Sequence, residues 1–199
     1  MPINEKYLAP FECEGIYHDY NRTNNKEILF RSDSNYQYFL NQYAKYFSPF
    51  VGTYAWNLLP NHFHFLIRIK REEEILKYIS TLPKQTVSEQ TFLIDKNIDV
   101  LMEMEFKRFF TSFAMAFNIM FTRVGNLFAR TFKRVKIDKD SQFTQALIYI
   151  HANARKHRLV KMFDEYKWTS YHSIISEKPT MLLRDEIIDW FGNKEEFIA

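Results

Sequence analysis

The spacing of apolar positions changes along this chain, and each change marks an element. Residues 13–22 mix β-formers with polar residues and run into Asn21-Arg22-Thr23-Asn24-Asn25, which predicts a strand entering a loop. From Ser32-Asp33 the spacing becomes three and four, through Tyr36, Phe39, Leu40, Tyr43 and Phe47, and Pro49 stops it: a capped amphipathic helix. Val51 to Leu58 is a strand, Pro60-Asn61 a turn, and His62 to about Ile69 a second strand, so the two form a hairpin. Arg71 to Ile79 suits a short helix, and the polar stretch Thr81 to Asp99 reads as an insertion or a mobile loop. Helical spacing then returns from Glu103 to Val124 through Phe106, Phe109, Phe110, Phe113, Phe117, Met120 and Phe121, ending at Gly125-Asn126. Leu127 to Ile137 alternates as a strand, Ser141 to about Arg158 is a helix, and Leu183 to Phe191 forms a last helix in the tail. The order β-α-β-β-(insert)-α-β-α predicts an α+β domain of ferredoxin-like type, with an antiparallel sheet and helices on one face.

Length and composition narrow this only moderately. The 199 residues suit one domain, taken as 1–175 with 71–103 as a probable insertion, and a helical C-terminal extension at 176–199. Hydrophobic residues make up 46% of the chain, with 20 Phe and 12 Tyr, enough for an aromatic core with some rings left over to stack on bases. Trp56, Tyr20 and Tyr54 could stack or simply pack, with packing favoured, and Trp168 and Tyr171 are assigned to docking of the tail. A net charge of +3 is mildly basic and does not by itself define a nucleic-acid partner. Cys13 is the single cysteine, which excludes an intramolecular disulfide and a cysteine-based zinc site and suits a cytoplasmic setting. The N-terminus has no signal-peptide pattern, and no apolar run is long enough to predict a membrane span.

The chemistry concentrates in two places. In His62-Phe63-His64-Phe65, strand alternation puts both imidazoles on one face and both phenyl rings on the other, toward a core. Two imidazoles side by side can hold one divalent ion with water, substrate oxygen or one more side chain completing its shell. The plainer reading is a pair of exposed strand histidines, or one buried and hydrogen-bonded. In Tyr149-Ile150-His151-Ala152-Asn153, helical geometry puts Tyr149 and Asn153 on one face, a turn apart, with His151 facing elsewhere. A phenol is a possible nucleophile that needs a metal or cations nearby to favour its phenolate, and Asn153 offers a carbonyl oxygen to a metal. The plainer reading there is a tyrosine with its ring in the core and its hydroxyl at the rim.

Together these residues resemble the single-tyrosine HUH transposases, and within them the REP-associated tyrosine transposases. His62-Phe63-His64 matches the His-hydrophobic-His motif, and Tyr149-x-x-x-Asn153 matches the catalytic tyrosine with its metal-ligand neighbour. Support comes from Tyr17-His18-Asp19-Tyr20-Asn21-Arg22, from Asn126-Leu127-Phe128-Ala129-Arg130-Thr131-Phe132-Lys133 and from Trp168-Thr169-Ser170-Tyr171, so the similarity spans about Gly15 to Tyr171. The resemblance implies a divalent metal, Mg²⁺ or Mn²⁺, on His62, His64 and Asn153. It also implies a single-stranded DNA substrate cut near a hairpin, and attack by Tyr149 giving a 5′-phosphotyrosine and a free 3′-hydroxyl. It allows a monomer, or a homodimer that exchanges the tyrosine helix.

The chain departs from that pattern at Ala154, where many relatives carry proline, so the helix is expected to run on through Arg155 and Lys156. Gly125 alone represents a usually glycine-rich approach to the fourth strand, and Ala129 stands where relatives often have Gln. Arg130, Lys133, Arg134 and Lys136 form a basic cluster, joined by Arg22 from the first strand and by Arg155, Lys156 and Arg158 after the tyrosine. Either they contact DNA phosphates, giving affinity without sequence information, or they are a solvated edge. Two other functions stay open on the same fold: a hairpin-binding module without catalysis, and a metal-dependent phosphodiesterase that uses water.

Overall fold

The computed structural model describes residues 8–129 and 132–198. Four strands build one sheet: β1 (Ile16–Arg22), β2 (Val51–Leu59), β3 (His62–Ile69) and β4 (Lys133–Ile137). Their order is β2-β3-β1-β4, and every neighbouring pair is antiparallel. With helix α1 (Asp33–Phe47) between β1 and β2, and α4 (Ile98–Met120) between β3 and β4, this is the expected ferredoxin-like α+β topology.

The expected helical layer consists of α1 and α4 on one face of the sheet. Strand alternation sends Tyr17, Phe63 and Phe65 into it, where they meet Phe39, Tyr43, Phe109 and Phe113 in a core made largely of rings. Tyr43 stacks on Phe65 at 4.0 Å between ring centres, and Phe39 touches Phe63, Phe109 and Phe113 at 5.0–5.1 Å. Such pairs favour offset or edge-on geometry and add to the burial of large apolar surfaces.

The opposite face carries a second layer, built from α5 (Asp140–Lys156) and the tail. Leu66 and Ala55 pack there against Phe143, Leu147, Ile150, Ile174 and Ile187. The tail contains α6 (Tyr171–Ile175), α7 (Arg184–Phe191) and α8 (Lys194–Ile198). Two of its segments cover the free edge of β2. Ser170 N–H donates to Trp56 O at 2.9 Å, and Leu183 N–H donates to Thr53 O at 2.9 Å. An edge strand left bare would invite pairing with another chain. Gly52 permits this fit, because a Cβ there would lie 2.6 Å from Leu183 Cδ1.

Segment 71–103 holds more regular structure than its composition suggests. It forms α2 (Glu72–Thr81), α3 (Val87–Asp95) and the first turns of α4. Thr86 caps α3 in a box with Glu89, and Asn97 Oδ1 accepts from Val100 N–H at 3.1 Å to start α4 earlier than the phenylalanine pattern implies. The fourth strand is shorter than expected. Leu127 and Phe128 are both buried, which breaks alternation, and the backbone at 127–129 pairs instead with the loop after β1 through Asn24 N–H to Leu127 O and Ala129 N–H to Arg22 O. Among the described residues, no helix is long and apolar enough to cross a membrane.

Candidate active site

The crevice lies at the end of the sheet where the β2–β3 turn meets the C-terminal half of α5. The turn is held from outside: Leu29 N–H donates to Pro60 O at 2.7 Å and Thr23 N–H to Asn61 O at 3.0 Å. From that fixed turn β3 presents His62 and His64 on one face while Phe63 and Phe65 enter the aromatic core. The two imidazole centres are 5.3 Å apart. Antiparallel pairing sets Tyr20 opposite His64 and Arg22 opposite His62, so β1 adds His18, Tyr20 and Arg22 to the same face.

Helix α5 crosses above them. The Tyr149 ring stands 5.6 Å from that of His64 and 5.8 Å from that of His18. His157, just past the end of α5, stands 4.8 Å from His62. A cavity of about 570 Å³ opens between helix and sheet, lined by His62, His64, Tyr149, His157, Arg22, Lys26 and Lys133 among others. Tyr149 is partly exposed to it, and the Lys156 ammonium sits 4.7 Å from the Tyr149 ring centre.

The imidazoles of His18, His62 and His64 are held neutral at neutral pH. Burial lowers His62 to about 4, assisted by His157 and Arg22, and burial alone lowers His18 to about 4. Burial, followed by the neighbouring His18, His62, His157 and Lys156, holds His64 well below its ordinary value. His62 Nδ1–H donates to Asn61 Oδ1 at 2.7 Å, which leaves Nε2 with the lone pair. His64 Nδ1 shares a 2.9 Å hydrogen bond with His18 Nε2. With the proton on His64 Nδ1, His18 orients His64 and leaves its Nε2 available, the arrangement by which outer groups fix metal-binding histidines.

Asn153 lies one turn beyond Tyr149 and one turn before His157, and is fully buried. Neither its amide oxygen nor its amide nitrogen has a hydrogen-bond partner, and neither does Asn57 Oδ1, although Asn57 Nδ2 donates to Ile150 O at 2.6 Å. Buried amides are ordinarily satisfied, so an orphaned oxygen one helical turn from Tyr149 is the kind of ligand a divalent ion that takes nitrogen and oxygen donors would use, although Asn153 is not part of the cavity lining. Among the described residues, no three His, Cys, Asp or Glu side chains are gathered as a ready-made metal cluster.

The basic residues divide between the two faces. Arg22 and Lys133 line the crevice, the latter 5.7 Å from the Tyr20 ring, and Lys156 stands over Tyr149. Arg155 is exposed on α5 outside the cavity lining. Arg134 and Lys136 require correction as members of this surface. Strand alternation turns both toward α4 and the N-terminal segment. Arg134 is 5% exposed and is bound by Glu103 at 2.7 Å and Asp99 at 3.2 Å, while Lys136 pairs with Glu12 at 2.8 Å. Arg130 lies outside the described residues.

Sequence reasoning missed His18, His157 and Lys26, and assigned Tyr20 to packing, whereas its ring stacks 5.4 Å from His64 at the crevice. His18 was findable, because Tyr17 belongs to the core and its neighbour on a strand must face the other way. His157 was findable as the next helical step after Tyr149 and Asn153.

The fold and crevice thus define a ferredoxin-like α+β domain that gathers an exposed phenol, imidazoles and cations in one cleft. No family model matches the chain, and no curated protein matches it. Among solved structures it is similar to a REP-associated tyrosine transposase bound to a REP hairpin, at 16% identity and a TM-score of 0.62, covering 90% of this chain and 89% of that one. At that identity the likeness establishes a shared fold.

Proposed function

We propose that this protein is a metal-dependent DNA strand transferase that cuts and rejoins single-stranded DNA near a hairpin, with Tyr149 as its nucleophile and residues 1–175 as its catalytic unit. The observation that carries this reading is the exposed Tyr149 phenol standing over His18 and His64 in a cleft lined by cations. The hairpin-bound structure that shares the fold supports the choice of DNA. His62, His64 and Asn153 would hold the divalent ion, Mg²⁺ or Mn²⁺, whose contribution when bound is to polarise and neutralise the scissile phosphate.

The chain's own residues account for the rest. Arg22 and Lys133 draw the phosphate backbone into the cleft, and Lys156 with Arg155 guides it along α5. Tyr149 Oη loses its proton to solvent and bonds to phosphorus, the bond from phosphorus to the 3′-oxygen breaks, and that oxygen takes up a proton. The product is a 5′-phosphotyrosine and a free 3′-hydroxyl, and attack by another 3′-hydroxyl on the linkage rejoins the strand. His18 positions His64, and the rigid turn at Pro60-Asn61 positions His62.

End-labelled hairpin DNA incubated with the protein and Mg²⁺ or Mn²⁺ tests this. Cleavage with a free 3′-hydroxyl, lost in Tyr149→Phe and in His62→Ala, is expected. Release of free 5′-phosphate by Tyr149→Phe as fast as by the parent would replace the tyrosine with water as nucleophile, and tight hairpin binding without any cleavage would leave a binding module.

A further inference from the structure

His151, two residues after Tyr149, and the tail stretch Trp168-Thr169-Ser170-Tyr171 take no part in the chemistry above, yet the fold brings them together behind the tyrosine helix. His151 is buried, and its Nε2 shares a 2.9 Å hydrogen bond with Oγ of the fully buried Ser170. Ser170 stands at the N-cap of α6, where a serine ordinarily bonds its own helix, but its hydroxyl makes no capping bond. That hydroxyl instead accepts from Trp56 N–H at 2.9 Å, beside the bond from Ser170 N–H to Trp56 O. The preceding residues are fastened to the same strand: Leu58 N–H donates to Trp168 O at 2.9 Å, and Tyr166 Oη donates to Leu58 O at 2.8 Å. A second bond reaches α5 one residue before His151, from Asn57 Nδ2 to Ile150 O at 2.6 Å.

These bonds meet α5 directly after the nucleophile. On a helix that turns about 100° per residue, His151 lies roughly 200° from Tyr149, on the side turned away from the crevice, where the rings of Tyr171 and Phe197 enclose it. Burial of Leu147 and Ile150 presses the helix onto the sheet, but that attraction is non-directional. A hydrogen bond on the far side has direction and sets the rotation of the helix about its axis. Resting on the strand-transferase reading above, we propose that Ser170 and His151 are positioning residues for Tyr149: the tail segment, locked to β2, fixes the rotation of α5 and so aims the phenol into the crevice. A misplacement of about 1 Å at a reacting group can cost on the order of a hundredfold in rate.

Two measurements on the full chain test the assignment. With saturating hairpin DNA and Mg²⁺, Ser170→Ala and His151→Leu are expected to slow formation of the Tyr149 adduct by about tenfold or more, with hairpin affinity within about twofold of the parent. His151→Gln, which keeps a polar partner for Ser170, is expected to recover most of the rate. Without DNA, the fluorine resonance of a fluorotyrosine incorporated at position 149 is expected to shift or broaden in Ser170→Ala and His151→Leu, and to stay near the parent in His151→Gln. A parental rate or an unchanged resonance in Ser170→Ala would overturn the inference, as would equal losses of rate and affinity. A parent that forms no adduct would instead overturn the strand-transferase reading, and the resonance alone would then decide whether the tail aims the ring.

Discussion

The two faces of the sheet are built from the same strands and do different work. Tyr17, Phe63 and Phe65 point to one side and close an aromatic core, whereas His18, His62 and His64, their immediate neighbours, point to the other, where His62 and His64 line the crevice and His18 bonds His64. The period of two along β1 and β3 therefore separates stability from chemistry one residue at a time. The core face is filled by rings in contact, and the crevice face keeps an open cavity of about 570 Å³ among polar side chains. Polar groups also sit on the core side: Asp19 is buried there, as are Asn21 and Arg134. Both Asp19 carboxylate oxygens are unpartnered, and burial, opposed by the Arg134 guanidinium, raises its pKa well above the ordinary carboxylate value.

The sharpest way to break this comparison is to exchange the faces' roles by mutation. Phe39→Ala, which removes the ring at the centre of the core, is expected to cost about 3–5 kcal/mol by chemical denaturation. His62→Ala on the other face should leave stability within about 1 kcal/mol of the parent and abolish cleavage. Comparable destabilisation by both would dissolve the division.

Acid sharpens it next. His18 and His62 titrate near 4, His151 near 3 and His64 well below its ordinary value, all held down by burial. Their depressed folded-state values mean that the unfolded chain binds more protons between about pH 6.5 and 4, so stability is full above that window and is lost as pH falls through it. The fully buried His151 alone carries on the order of 3 kcal/mol across it, at about 1.4 kcal/mol per unit. Asp19 acts in the opposite direction, because its raised folded-state value favours the folded chain as pH falls. Tm measured from pH 7 to 4 is expected to drop below 6.5, because four histidines act one way and Asp19 the other. A flat profile would mean that these imidazoles are not desolvated.

The adjacent pair Lys133 and Arg134 gives the finest contrast. Arg134→Ala removes a buried guanidinium that bonds Glu103, Asp99 and Ala9 O and is expected to lower stability by about 1–3 kcal/mol with DNA affinity barely changed. Lys133→Ala should cost less than about 1 kcal/mol of stability and reduce the salt dependence of hairpin binding by about one phosphate contact. The reverse assignment would show that strand β4 is turned over.

These contrasts explain what the sequence could and could not disclose. The histidine strand was legible because His-Phe-His-Phe states its own alternation. The roles of Arg134 and Lys136 were not, since which face β4 turns outward depends on its register with β1, and Arg134 stands opposite the buried Asp19. Helix α3 was illegible for a different reason: its pattern is inverted, with Ser88 and Glu89 buried while Ile94 is 85% exposed. Ser88 Oγ donates to the buried Glu105 at 3.1 Å, so a polar contact with α4 takes the place of an apolar stripe. The layer formed by α5 was visible as a helix, but its placement on the second face required the partners Leu66 and Ala55 to be known.

The central claim is that Tyr149 forms a covalent bond to DNA. Intact-mass analysis of the protein after reaction with hairpin DNA, followed by peptide mapping, tests it most directly. The account predicts a nucleotide adduct on the peptide carrying Tyr149, absent in Tyr149→Phe. Cleaved DNA with no adduct, or an adduct on another residue, would contradict it.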